Sequence, residues 1–588
     1  MNDPSVQNVT VLSGHTGARW WNAPWIYITA QVRERENQIF VLLSLVIGAV
    51  TGLVVVAFIV LTEHVGMRLY PVGSDPWRRV LIPVAGSLGM GYLLARYFPN
   101  ARGSGVPQTK AALFAREGYI SLRTVIGKFG CTAATLASGI PLGREGPSVQ
   151  VGAGIASVLG RRLGLRQEKV KTLIPVGAAA AIAAAFNTPM AAVLFSLEEV
   201  MGDLNAPILG SVVLASATSW AILRMLLGNN PLFHVPQYEL VNPVEFAIYA
   251  VLGVAGGLLS AAFTRLLLGM RTRFLLLPMK TRWWHPVTGG LLVGLMGWFV
   301  PQALGVGYSY VGDALNNHMA LKLMALLVVL KLFGVTVSYA SGNAGGIFGP
   351  ALFLGAMLGG TIGSIAHHFF PASTALPGAY ALVGMGALFA GIVRAPMTSV
   401  LMIFEMTHDY AVIVPLMIAN LASLFISSRL QKQPIYEALA HQDGIHLPDS
   451  KSRSGFGQRK VFQAMRNATE TLTAQSTVQE ALQLIDASRF RAWPLMDEGN
   501  IVGVLSRTTL TNAVDEGKSQ ETLLSLLDTI EFPHVHTDHA LHVALERMSS
   551  AHIDILPVVN RANVHKLEGV VTLRDVLDSY GVDSIGSA

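Results

Sequence analysis

The chain has 588 residues, of which 52% are hydrophobic and only 13% charged, with a mean hydropathy of +0.48. A water-soluble protein of that size could not cover its surface with so few charges, so most of the chain belongs in lipid. The net charge of +6 does not imply nucleic acid, because many basic residues sit in connections such as Arg161, Arg162, Arg166, Lys169 and Lys171, or Lys280 and Arg282. That placement is the pattern of positive-inside anchoring. The single cysteine, Cys131, excludes an intrachain disulfide and a cysteine-based metal site, and no metal is expected.

Residues 1–36 are polar and mixed, ending in Arg33-Glu34-Arg35-Glu36. They lack the charged start, short apolar core and cleavage site of a signal peptide and read as a cytoplasmic N-terminal segment. Apolar windows long enough to cross a bilayer then follow near 39–62, 79–97, 172–197, 207–228, 244–270, 285–304, 318–340, 378–404 and 410–428. Segments around 121–139, 148–160 and 350–369 are rich in Gly and Ala, with Gly/Pro clusters at Gly143–Pro147 and Gly345–Pro350. Irregular backbone at membrane depth survives only where it is buried in protein or lines a watery cavity, so these breaks mark a candidate site.

The chain also repeats itself. Gly143-Arg144-Glu145-Gly146-Pro147 and Gly152 match Gly346-Ile347-Phe348-Gly349-Pro350 and Gly355 at an offset of 203 (346 − 143). Upstream, Pro99, Gly103 and Gly105 match Pro301, Gly305 and Gly307 at 202; downstream, Gly177, Pro189-Met190 and Glu198 match Gly384, Pro396-Met397 and Glu405 at 207. Three ordered blocks predict a duplicated membrane core. Whether the halves run parallel or inverted depends on the number of spans between them, which the windows leave open.

Three Gly-rich segments, Gly103-Ser104-Gly105-Val106-Pro107, Gly143–Pro147 and Gly345–Pro350, each end in a proline suited to the first turn of a helix. Each therefore predicts free N–H groups at a helix N-terminus, where the dipole favours an anion. The Ser104 hydroxyl adds a neutral donor, which suits an ion that must also leave. None has the GxxxxGK[ST] spacing of a phosphate loop. Close helix packing is the alternative use of such glycines. Glu145 fits packing least, because a carboxylate inside a membrane helix start is costly unless helix-end amides hold it. Aimed at an anion site, it is a tethered anion that occupies the site when charged and leaves when protonated. Glu198 and Glu199 end an apolar span and suit either proton entry or ordinary helix-end charge; spacing does not choose.

These segments resemble the GSGIP, GREGP and GxFxP signatures of the CLC family of chloride channels and chloride/proton antiporters, over roughly residues 39–440. The resemblance implies a polytopic α-helical inverted repeat with broken helices, spanning 37–440 with halves at about 37–228 and 240–430. It also implies a multi-pass homodimer in the cell (inner) membrane, whose cargo is chloride and protons, which catalyses no chemical reaction and needs no cofactor. Gly103, Ser104 and Tyr436, with the amides of Ile347 and Phe348, would contact the anion. Glu145 would be the external gating glutamate and Glu199 the internal proton glutamate, which favours antiport over a passive channel of the same family. Ser104 favours chloride, since nitrate-preferring relatives carry Pro there. Gln108 departs from the acid that many relatives have next to the first signature.

After a polar linker, 441–458, residues 459–588 hold two similar blocks, Val461–Val514 and Ile530–Tyr580. Each ends in an apolar strand leading to a helix, and together they look like a cytoplasmic α/β CBS pair. In such modules a Thr and an Asp three residues on take the phosphate and ribose of an adenine nucleotide. Thr572 and Asp575 keep that pattern, whereas Thr509 stands in the first block. A CBS-bearing cation transporter or sensor is the rival reading, and it would need pathway acids or carbonyl rings rather than amide donors.

Overall fold

The structure is a computed structural model that describes residues 36–580, apart from 72–74, 205–207, 229–230, 234, 237, 239, 446, 448–458, 468–469, 487, 489, 528–531 and 562. The N-terminal segment through Arg35 and linker residues 446 and 448–458 therefore lie outside the described residues. The chain divides into two units, 1–447 and 448–588.

The first unit is helical. Its first half contains α1 (Glu36–Leu69), α2 (Arg78–Arg96), α3 (Val106–Phe114), α4 (Leu122–Ala137), α5 (Glu145–Arg162), α6 (Gln167–Phe186), α7 (Pro189–Phe195) and α8 (Leu209–Leu227). The second half repeats the order with α9 (Glu245–Leu275), α10 (Pro286–Phe299), α11 (Tyr308–Leu315), α12 (Leu321–Ser341), α13 (Phe348–Phe369), α14 (Pro377–Val393), α15 (Pro396–Thr407) and α16 (Ile413–Leu430), and α17 (Ile435–Gln442) follows. Among the described residues, seven helices are long and apolar enough to cross a membrane.

Two predicted spans, 172–197 and 378–404, are each two helices rather than one. Asn187 and Arg394 turn into the left-handed region at φ +59° and +67°, and Thr188 and Ala395 leave the helical region ahead of Pro189 and Pro396. The residue before proline is pushed out of the α conformation, so the apolar run continues while the helix does not.

The duplication is visible in contacts. Gly143 and Gly346 exchange backbone hydrogen bonds in an antiparallel bridge, each N–H donating to the other's carbonyl at 2.7 Å. Such reciprocal contacts define a local two-fold relation between the halves, the arrangement an inverted repeat requires. The α5/α6 crossing is closed by Gly152 and Gly177, where an added Cβ would sit 2.3 and 2.2 Å from the partner glycine's carbonyl oxygen. The α13/α14 crossing repeats this with Gly355 and Gly384, at 2.3 Å each way. Small residues let these backbones touch.

In the second unit, β1 (Leu472–Thr473), α18 (Val478–Ile485), β2 (Ala492–Asp497), β3 (Asn500–Ser506) and α19 (Arg507–Asp515) form the first block. Its sheet has the order β1-β2-β3, with β1 parallel and β3 antiparallel to β2. The second block has α20 (Leu541–Ala551), an antiparallel β4 (Ile555–Val559) and β5 (Leu567–Thr572), and α21 (Leu573–Ser579). Trp493 is fully buried in the first core. Val461, though it precedes the first block's strands, packs in the second core, and Arg466 bridges Val570 on β5.

Candidate functional site

The three Gly-rich segments meet. Gly103 and Gly105 adopt φ of +85° and +105°, open to glycine without strain, and a Cβ on Gly105 would lie 2.1 Å from the Gly146 carbonyl oxygen. Gly146 in turn approaches Ser104, and Gly346 approaches Pro147 and the Gly146 amide. Each segment opens a helix: α3, α5 and α13. Residues far apart in sequence are thus brought into one place by close backbone packing.

Ser104 and Tyr436 are fully buried, and neither hydroxyl has a geometrically formed hydrogen bond among the described residues. Tyr436, on α17, faces the Ser104 hydroxyl and stands in the field of Glu199, Tyr339 and Glu145. The Ser104 backbone amide donates to the Tyr339 hydroxyl at 3.1 Å, which holds the loop. Ile347 caps α13 and Phe348 is its first residue, positions whose amides have no acceptor inside the helix. The Phe348 ring is enclosed by Phe186, Phe195 and Phe389 at centroid distances of 4.8, 5.6 and 4.4 Å. Two unpartnered buried hydroxyls beside a helix start suit an unhydrated anion, because a buried polar group left unpaired is costly.

Glu145 begins α5 and is fully buried. Its Oε2 accepts the Gly349 amide of α13 at 3.2 Å, and its Oε1 accepts the Tyr308 hydroxyl. The carboxylate therefore stands in the position of an anion at the α13 N-terminus. Arg144 lies 5.5 Å from the Tyr308 ring and pairs with Glu63 at 3.1 Å.

The acidic pair Glu198-Glu199 separates by role. Glu198 accepts the amides of Met397 and Thr398 at 3.3 and 2.8 Å, while Glu405 accepts those of Met190 and Ala191 at 3.0 and 2.7 Å. Each half therefore caps the broken helix of the other. Glu199, in the π-helical turn Ser196–Met201, is buried and accepts from Lys110 at 2.7 Å.

Sequence reading missed several groups. Tyr308 and Tyr339 hold Glu145 and Ser104 but carry no local signature. Lys128 and Lys331 did leave a trace, since they stand at the same offset of 203 (331 − 128). Both are buried: Lys128 donates to the carbonyls of Ala101 and Gly103, and Lys331 to those of Gly305 and Val306. Each satisfies carbonyls that the irregular loop leaves without helix partners.

In the second unit, the Thr572 hydroxyl donates to Asp575 at 2.7 Å and accepts the Asp575 amide at 3.2 Å, and Arg466 pairs with the same carboxylate. These polar groups are engaged as a helix cap, so an adenine nucleotide would have to share or displace those hydrogen bonds.

The profile described as "Voltage gated chloride channel" matches residues 86–428, and the profile "CBS domain" matches 461–516 and 527–581. The chain is 32% identical over 357 residues to the "H(+)/Cl(-) exchange transporter ClcA" of Vibrio campbellii, covering 60% of this chain and 76% of that protein. It is 35% identical over 392 residues to the "Putative chloride channel protein ClcB-like" of Ralstonia nicotianae, covering 64% and 89%. Among solved structures, a slow cyanobacterial Cl⁻/H⁺ antiporter aligns with a TM-score of 0.64 and 27% identity, covering 69% of this chain and 97% of that one. The chloride-channel profile spans more than half of the chain and contains the three converging segments; the chain is a multi-pass membrane protein of the CLC family with a C-terminal CBS pair.

Proposed function

We propose that the protein exchanges chloride for protons across the membrane, with Glu145 as the proton-operated gate. The observation that carries this is the Glu145 carboxylate seated on the Gly349 amide and the Tyr308 hydroxyl at the start of α13. While charged, it competes with a mobile anion for the same positive helix end. Once protonated, it loses most of that attraction and vacates the place for the ion, so one site serves both species in turn.

The anion is taken by the Ser104 and Tyr436 hydroxyls and by the amides of Ile347 and Phe348. With no fixed cation among these ligands, binding stays weak enough for release. Glu199 supplies protons from the opposite end. The exchange names of the relatives support this direction of reading. The working form is a homodimer in the cell (inner) membrane with the CBS pair in the cytoplasm, and exchange itself requires no cofactor.

Simultaneous chloride and pH recording in proteoliposomes tests the function. Uphill chloride movement driven by a proton gradient supports exchange; chloride flux without proton movement makes the protein a passive channel.

A further inference from the structure

Lys110 has no part in the exchange scheme above, yet it is one of the few buried cations near the pathway. It lies on α3, with the Ser104 loop at that helix's start. Its ammonium sits 2.7 Å from Glu199 and 3.9 Å from Glu437 on α17. Side-chain exposure is 7% at Glu199, 3% at Lys110 and 16% at Glu437, so Glu437 is the most exposed of the three. A cation meant only to neutralise Glu199 needs one acid beside it. Here it bridges a buried acid and a more exposed one.

We propose that Glu437, Lys110 and Glu199 form the proton-entry path, with Glu437 as its outer station and Lys110 as the relay. The Lys110 ammonium passes a proton to the Glu199 carboxylate, leaving a neutral amine and a neutral acid. The amine then takes a proton from protonated Glu437, and the Glu437 carboxylate left behind is reprotonated from the bulk solution. One proton has moved inward and the relay is restored. In a poorly polarisable interior desolvation offsets much of the attraction within the Lys110–Glu199 pair, which lowers the cost of moving a proton across it.

The same two short helices hold the anion ligands. The Ser104 loop and Lys110 belong to α3 and its start, and Tyr436 and Glu437 are neighbours on α17, which packs against α3. A shift of either helix on anion binding changes the Lys110 distances as well. Arg394, at the α14–α15 break, also faces Glu437 and donates to the Gln431 and Lys432 carbonyls. Tyr436 stands in the field of both Glu199 and Glu145.

This inference rests on Glu199 being the inner proton station, and four variants of the full-length protein separate the two claims. Chloride and proton fluxes are measured together in proteoliposomes. Lys110→Arg keeps the charge but cannot give up a proton at working pH. It should cut proton flux by about a hundredfold, the low side of what a positioned proton-transfer group contributes, while chloride flux stays near wild type. Lys110→Met and Glu437→Gln should also lower the proton-to-chloride ratio. Undiminished proton flux in Lys110→Arg, an unchanged ratio in Glu437→Gln, or equal loss of both fluxes in Lys110→Arg would overturn the relay. Proton flux surviving in Glu199→Gln would instead sink the reading beneath it.

Discussion

The Gly349 amide of the second half donates to the Glu145 carboxylate of the first half at 3.2 Å, beside the reciprocal Gly143–Gly346 bridge. The gate is therefore held by the seam between the repeats, and any change at that seam should be read out in transport. Glu145→Gln removes the charge while keeping the shape. Chloride flux should persist and proton flux should fall to background; proton coupling retained in this variant would remove Glu145 from the gate.

Tyr308→Phe takes away one of the two donors that hold the charged carboxylate. The gate should then vacate the helix start more readily, raising chloride flux at neutral pH severalfold, on the order of one charge-assisted hydrogen bond. The proton-to-chloride ratio should change little. A lower chloride flux with a normal fold would contradict this.

Glu405 and Glu198 each cap the broken helix of the opposite half. Replacing either by Ala should lower stability by about 1–2 kcal/mol, the cost of a lost helix cap. Thermal unfolding in detergent measures this, and the double variant should lose about the sum, since the two caps share no amide. Loss of proton coupling in Glu198→Ala without loss of stability would show that it acts in transport.

Thr572 and Asp575 spend their polar groups on the α21 cap and on Arg466. Thr572→Ala should cost the second CBS block about 1 kcal/mol, seen as a lower unfolding midpoint. Titration of the full chain with ATP, ADP and AMP should give no binding heat; a saturable heat abolished by Asp575→Asn would show that the cap opens to take a nucleotide.

Much of this was legible in one dimension. Composition placed the chain in lipid, the offsets of 203 and 207 revealed two halves, and Gly-rich starts ending in proline marked the broken helices, because glycine and proline act on the backbone locally. Glu145 stood out for a similar reason, a charge where charge is costly. Tyr308, Tyr339 and the Lys110 pairing with Glu199 and Glu437 were not legible. Their partners lie on other elements, from 89 (199 − 110) to 327 (437 − 110) residues away along the chain, and no spacing rule links them. The tertiary structure alone decided that Glu198 is a cap and Glu199 faces a lysine. Adjacent residues on a helix point to different sides, and what each side meets is set by packing against the other half.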